Sequence, residues 1–311
     1  MRGYNPAKRG RASHHPLMAF VADLRMIANC WLRPGNSSSA NNVQAFLANT
    51  LHRLGDKRVC LLRADSGFSD SAFLDHLDTQ PMHYLIALRQ NQPLQRALVN
   101  ADNWWSLIDE DGRPVPGIEL TRFAYQPDAW SVPRWVVGIR QHTALRADPK
   151  GKTLNLFADD PAIGSWRFSA LTTDLDLSAE TVWRMYRGRA DCENRIKELK
   201  YDFAADSFNM KDFWATEAAL NVVMLAYNLM SLFRQVLLKT SLVRSSSGPV
   251  QHTLQTLRYK LLAKAAYITT EARKPILNLA VAMQQRVWMK GLWEATNTFD
   301  LPAKFSPIYP P

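Results

Sequence analysis

The sequence predicts an α/β fold: strands alternating with helices, an inserted β-rich subdomain, and a mainly helical C-terminal region. Three observations predict it. Up to about residue 92, short apolar runs alternate with runs of helical period, the order expected of an α/β sheet. Between about residues 93 and 165 the texture changes to Trp, Pro and Gly with short alternating stretches. From residue 166 one strand leads into long helical patterns. The implied divisions are 1–92, 93–165 and 166–311.

The elements follow in order. Residues 1–16 are a polar lead with Lys8, Arg9 and Arg11 close together. Leu17 to Leu32 reads as two short strands, ended by Arg33-Pro34-Gly35-Asn36. Val43, Phe46, Leu47, Leu51 and Leu54 recur at helical spacing, with Ser39 or Asn41 as a cap and Gly55 as the stop. Arg58 to Ala64 is apolar enough for a buried strand and stops at Asp65-Ser66-Gly67-Phe68, so Asp65 sits at a strand's C-terminal end. A helix from about Ser69 to Leu77 and a strand from His83 to Leu88 come next, with Asp70, Asp75 and Asp78 read as capping or solvated. Within the insertion, Ile118 to Tyr125 and Arg134 to Gln141 alternate as strands, and Trp104, Trp105, Trp130 and Trp135 supply a core. Trp166 to Thr172 is a strand, and Asp176 to Phe203 reads as one helix with Ser178 and Glu180 near its start. Asp212 to Leu292 reads as mostly helical, broken by Ser-Ser-Ser-Gly-Pro at 245–249. Its most apolar window, Leu220 to Leu238, contains Asn221, Asn228, Arg234 and Gln235, which favours a buried core helix over a membrane span.

Composition narrows the function classes. A chain of 311 residues with 47% hydrophobic residues buries a proper core and is not disordered. Its 38 Lys and Arg against 28 Asp and Glu give a net charge of +10, which calls for a polyanionic partner or else a scattered basic surface. Cys30, Cys60 and Cys192 lie far apart, so neither a disulfide framework nor a zinc site is indicated, and a reducing cytoplasm fits. Met1 is followed by polar and basic residues, unlike a signal peptide. The adjacent His14 and His15 do not face one site in a helix or strand, and Asp159-Asp160 reads as a turn before Pro161.

Chemistry concentrates on the helix ending at Phe203. At about 100° per residue, Tyr186, Arg189, Glu193 and Lys200 fall within an arc of about 60°, beside an apolar stripe of Met185, Cys192, Ile196, Leu199 and Phe203. Charges four apart also make an ordinary salt-bridged surface. The combination with Asp65 is what points to a site, because ligands gather beyond the carboxyl ends of strands in an α/β sheet. Two neighbouring carboxylates repel unless a cation sits between them; hard oxygen ligands indicate Mg²⁺ or Mn²⁺, and a pair of such ions suits phosphodiester chemistry. Arg189 and Lys200 would then suit phosphates.

Tyr186-x-x-Arg189-x-x-x-Glu193, with Lys200 seven positions on, resembles the YREK signature of insertion-sequence DDE transposases. Arg63-Ala-Asp65-Ser-Gly67-Phe68 resembles that family's second Asp segment, and the stretch Arg189 to Lys200 its Glu helix. The resemblance runs from Gly3-Tyr4-Asn5-Pro6 to the helix around Leu225 to Arg234. It implies a ribonuclease H-like core and metal-dependent phosphodiester hydrolysis and strand transfer at insertion-sequence ends. The 128 positions between Asp65 and Glu193 leave room for the inserted β subdomain of this branch. By the same resemblance, Asp65 and Glu193 are the catalytic carboxylates and hold Mg²⁺ or Mn²⁺, while Tyr186, Arg189 and Lys200 contact transposon-end DNA. Lys197 and the leading Lys8, Arg9 and Arg11 add basic candidates for DNA contact. Double-stranded DNA, a homo-oligomer on paired ends, no membrane, and a bacterial cytoplasm follow.

The resemblance departs at the front. The family's first Asp ends the first core strand, ahead of the basic lead, and Met1 begins almost at that lead. Asp23 is the sole acid before Asp56, and Ala22-Asp23-Leu24-Arg25 reads as a hairpin turn. The sequence therefore leads us to expect a truncated product or a late start, an exposed sheet edge, and as the alternative activity an inactive remnant that binds DNA only.

Overall fold

The computed structural model describes residues 3–4, 12–109, 111–143, 164–236, 244–245, 248–249 and 253–299. It is a mixed α/β structure with a mixed sheet. The chain divides into two compact units, Met1–Ala19 with Ala28–Asn194, and Phe20–Ile27 with Arg195–Pro311.

In the first unit, β1 (Gly3–Tyr4) pairs with β2 (Ala12–Ser13). The hairpin of β3 (Leu17–Val21) and β4 (Met26–Trp31) forms a separate two-stranded sheet, and its tip, Phe20–Ile27, belongs to the second unit. Helix α1 (Val43–Leu54) follows; its N-cap Asn42 is left-handed and makes no side-chain cap, so neither Ser39 nor Asn41 takes that place. Gly55 ends the helix at φ 58°, as its lack of a Cβ permits. Then come β5 (Leu61–Ala64), the short 3₁₀ turn Ser66–Phe68, α2 (Ser71–Asp78), β6 (His83–Ala87) and α3 (Gln92–Val99). Strands β7 (Trp105–Ile108), β8 (Pro114–Tyr125), β9 (Arg134–His142) and β10 (Trp166–Thr173) complete a six-stranded sheet in the order β5-β6-β10-β9-β8-β7. The strands of the Trp-, Pro- and Gly-rich stretch thus continue the sheet begun by β5 and β6. Only β5 and β6 run parallel, with Arg63 opposite Leu85; the other pairs are antiparallel.

Alternation along the strands sends side chains to opposite faces. Tyr84 and Ile86 pack with Val43 and Leu47 of α1 and Phe73, Leu74 and Leu77 of α2. Leu88, Val136 and Ala170 meet Leu94 and Leu98 of α3. On the other face, Leu85, Leu120, Val137, Ile139 and Leu171 bury Ala179 and Val182 of α4 (Ala179–Arg187). Ser178 caps α4 by accepting from Thr181 N at 3.3 Å, as its position ahead of the helix implies.

The long helix expected from Asp176 to Phe203 is two helices. After α4 the chain tightens through Gly188 and Arg189, then resumes as α5 (Ala190–Phe203). Arg189 N bonds Tyr186 O and Cys192 N bonds Arg189 O, both spanning three residues instead of four. The 100° phase therefore does not carry across the joint, and the single face inferred for Tyr186, Arg189, Glu193 and Lys200 is not that of one regular helix.

The second unit holds the rest of α5, then α6 (Phe213–Val236), β11 (Arg244–Ser245), β12 (Gly248–Pro249), α7 (Leu254–Leu257), a π turn at Arg258–Leu262, β13 (Ala266–Glu271), β14 (Lys274–Leu279) and α8 (Met283–Thr298). Leu254, Leu257 and Leu292 form its core with Phe203, Met230, Phe233, Leu261 and Trp288. By length and hydropathy α6 could cross a membrane. Here it buries Leu220, Met224, Tyr227 and Arg234 on one stripe and exposes Trp214, Val222, Leu225 and Leu229 on another, so it is a half-buried helix. Asn228 brackets Ile27, accepting from its N–H at 2.7 Å and donating to its carbonyl at 2.9 Å. The β13–β14 hairpin interrupts what reads in sequence as helical. Its two-residue loop, Ala272-Arg273, has positive φ at both positions, a turn normally marked by Asn-Gly or Asp-Gly.

Candidate active site

Asp65 follows β5 directly. Its backbone is extended, and its Oδ1 accepts from Gly67 N at 2.9 Å, capping the 3₁₀ turn. A Cβ on Gly67 would lie 2.6 Å from Ser39 Oγ, 2.9 Å from Ser39 Cβ and 3.0 Å from Asp65 Oδ1, so a larger residue would have to displace Ser39 and crowd Asp65. Phe68 packs against the α1–α2 core and pins the turn. Asp70 is occupied as the N-cap of α2, accepting from Phe73 N at 3.1 Å.

Strand alternation decides which β5 side chains face α4. Leu62 and Ala64 pack toward α1 and α2, while Leu61 packs into the cluster that contains α4. Arg63 and Asp65, in phase with Leu61, share that second side. Arg63 is half-buried and donates from Nη1 to Met185 O at 2.7 Å.

Glu193 lies in the first turn of α5, with a side chain 56% exposed. Arg189 donates from Nη2 to Glu193 Oε1 at 2.7 Å, and its guanidinium lies 5.5 Å from the Tyr186 ring centre. Asp65 enters the same neighbourhood. Burial lowers the Arg189 pKa, but Tyr186, Glu193 and Asp65 outweigh it and raise it. Burial also pushes Tyr186 up; Arg189 opposes this, and Asp65 and Glu193 add to it. Tyr186 is therefore a neutral phenol at ordinary pH. The Cys192 thiol is raised, first by burial, with Glu193, Asp191 and Asp65 adding and Arg189 opposing. Arg189 Nε is buried and has no hydrogen-bond partner among the described residues.

Of the residues singled out in the sequence, Asp65, Tyr186, Arg189 and Glu193 thus share one electrostatic neighbourhood within the first unit. Lys197 and Lys200 are exposed on α5, in the second unit. Lys8, Arg9 and Arg11 lie outside the described residues, as do Asp159 and Asp160. Asp23 sits in a turn closed by Arg25 N to Ala22 O, as its neighbours suggest. Trp104 and Trp130 pack into the α3 side of the sheet, whereas Trp105 and Trp135 are exposed.

Sequence reasoning missed two groups. Arg63 was legible as the end of a strand and as part of the segment around Asp65, but no sequence signal assigned it a partner. Asp75 and Asp78, taken as solvated or capping, hold the buried Arg134 at 2.6 and 2.5 Å, and Tyr84 donates to Asp78 at 2.8 Å. These four line a hollow of about 350 Å³ with Thr173 and Asp174, at the end of β6 away from Asp65. No signal short of the β6–β10–β9 pairing brings Arg134 to that helix.

Fold and site define a mixed α/β protein in which one sheet strand ends in a carboxylate, Asp65, and the electrostatics of Arg189 and Tyr186 feel both that carboxylate and Glu193. The chain matches the family Transposase DDE domain group 1 over residues 5–297, and it belongs to that family. This family generally uses divalent metal ions. No curated protein matches the chain. Among solved structures it is similar to the piggyBac transposase in a synaptic complex with hairpin DNA, determined by cryo-EM. The identity is 14% and the TM-score 0.46, over 78% of this chain and 46% of that one. The chain spans less than half the length of that transposase chain.

Proposed function

We propose that the chain is the catalytic region of a DNA transposase with a ribonuclease H-like core, cleaving and joining phosphodiester bonds at insertion-sequence ends in the bacterial cytoplasm. The single observation that supports this reading is the bond of 2.7 Å from Arg189 to Glu193, at a helix start, with Asp65, at a strand end, adding to the electrostatics of the same arginine. Among the described residues no group of three or more His, Cys, Asp or Glu side chains stands where it could hold a metal ion. Two hard carboxylates still suit Mg²⁺ or Mn²⁺, because Mg²⁺ is ordinarily held by one or two carboxylates with water and substrate phosphates completing its shell. Asp65 and Glu193 would hold the ion, which when bound supplies Lewis-acid stabilisation of the attacking and leaving oxygens.

The chain's own groups do the rest. Arg189 offsets the repulsion between the two carboxylates, and its buried, unpartnered Nε is a donor suited to a phosphate oxygen. Tyr186, kept neutral, offers a phenol O–H to the DNA backbone. Lys197 and Lys200, with Lys8, Arg9 and Arg11, neutralise further phosphates of double-stranded DNA, and a homo-oligomer holds the paired ends.

Glu193→Gln is expected to abolish cleavage of an end-containing duplex in Mg²⁺ or Mn²⁺ while retaining DNA affinity; unchanged cleavage sinks the assignment. Among the described residues no third acidic side chain joins the two into a metal-binding group, which favours a second reading, a chain that binds DNA without chemistry. Duplex binding by the wild type with no cleavage in either ion selects it.

A further inference from the structure

We propose that Arg63 is a positioning residue which fixes the α4–α5 joint on β5 and thereby sets Glu193 beside Asp65. The proposal rests on the reading of those two carboxylates as a working pair. Arg63 stands two residues before Asp65 on the same side of β5, and Met185 stands eight before Glu193 in the last turn of α4. One hydrogen bond of 2.7 Å, from Arg63 Nη1 to Met185 O, therefore ties the two segments across 122 positions of chain.

The bond exists because of how the helix breaks. In a continuing α-helix, Arg189 N would close on Met185 O. Here Arg189 N turns to Tyr186 O at 2.9 Å, and Arg63 takes the carbonyl that it leaves. A cation at a helix C-terminus is favoured by the orphan carbonyls and the helix dipole. Gly188 completes the arrangement. Its backbone is ordinary right-handed helix, φ −58° and ψ −17°, so alanine would be tolerated by the backbone itself. A Cβ there would meet Arg63 Nη1 at 2.6 Å and its Cζ at 3.8 Å. Glycine at 188 serves the arginine. The break also rotates Glu193 relative to α4, so an unclamped joint that relaxed into one straight helix would carry its carboxylate to another azimuth.

The test uses the full chain with Arg63→Ala, Arg63→Lys, Gly188→Ala, Glu193→Gln and the double variant of Arg63→Ala with Gly188→Ala. Hydrogen–deuterium exchange without metal reads the joint, and the electron paramagnetic resonance signal of free Mn²⁺ reads the pair. Circular dichroism melting shows whether each variant is folded. Arg63→Ala is expected to speed exchange across residues 186–193 by about tenfold, the loss of one charge-assisted hydrogen bond. It should weaken Mn²⁺ binding by about tenfold or more, as loss of a partner that orients a ligand does. Arg63→Lys should restore most of both. Gly188→Ala should reproduce Arg63→Ala alone but add nothing in its presence, because the Cβ then meets no guanidinium. Wild-type exchange and Mn²⁺ affinity in a folded Arg63→Ala overturn the proposal, as does a full additional effect of Gly188→Ala in the double variant. Equal Mn²⁺ affinity of wild type and Glu193→Gln overturns the metal reading of the pair instead, and exchange alone then decides on Arg63.

Discussion

Arg134 is a buried charge of the first unit, with a side chain 3% exposed. It reaches Asp75 at 2.6 Å and Asp78 at 2.5 Å, and its guanidinium lies 5.0 Å from the Trp130 ring centre. The guanidinium is buried while Asp75 and Asp78 stay partly exposed, so the loss is that of its charge-assisted hydrogen bonds discounted for solvent screening, and Arg134→Ala should destabilise the protein by roughly 1–3 kcal/mol at neutral pH. Asp75 adds a pH dependence of known sign. Hydrogen bonds from Ser131 and Arg134 hold its carboxyl below the ordinary value. Its contribution is therefore complete above the unfolded pKa of about 3.9 and is lost as pH falls through the lower folded value. Urea midpoints of wild type and Arg134→Ala, followed from pH 7 downward, should converge below about pH 4. A gap that stays constant into acid would show that Arg134 acts by packing alone. Arg63 and Arg134 teach one lesson about reading arginines: both stand on strands, and both are explained by a helix partner that only the folded sheet brings near.

At the scale of elements, one carboxylate holds three helices of the second unit. Glu198 of α5 is 9% exposed and accepts from Arg234 Nη1 of α6 at 2.7 Å and from Leu254 N at the start of α7 at 3.1 Å. Glu198→Ala is expected to cost about 3–5 kcal/mol, the range for breaking a buried pair from one side. Glu198→Gln, which keeps an acceptor for Leu254 N, should cost less. A urea titration in which both variants match wild type would remove the carboxylate from the account of this unit's stability. Elements of this kind are unevenly legible in sequence. Strand β5 with Asp65 at its end, the Ser178 cap and the alternating β8, β9 and β10 were readable because their signals are local. The break at Gly188 was not, since an isolated glycine is tolerated in helices and its cause is an arginine distant in sequence. The β13–β14 hairpin was hidden by its Ala-Arg turn, which carries no turn signature. For the site, this means that the place of Asp65 at a strand end could be read from local signals, while the joint ahead of Glu193 could not.

For the whole molecule the argument turns on charge. The chain carries an excess of ten positive charges over 311 residues, and some of its acidic side chains are spent on arginines, as at Arg134 and Arg234. Every Arg neutralised internally leaves the remaining basic residues, Lys197 and Lys200 among them, to act outward. If they meet DNA, each phosphate neutralised releases counterions, and the logarithm of affinity falls linearly with the logarithm of salt at about 0.9 per contact. The wild-type chain on an end-containing duplex should therefore lose affinity steeply between about 50 and 200 mM salt, by a thousandfold or more for six contacts. Lys197→Ala and Lys200→Ala should each lower the slope by about one, because each removes one phosphate contact and no sequence reading. Glu193→Gln should leave the slope unchanged or slightly raise it, since it removes an acid from the Arg189 neighbourhood without removing a cation. Fluorescence anisotropy across a salt series measures all four slopes on one duplex. A flat wild-type response would take nucleic acid out of the account altogether. A steep wild-type slope untouched by either lysine variant would keep DNA as the partner but move its path away from the exposed side of α5.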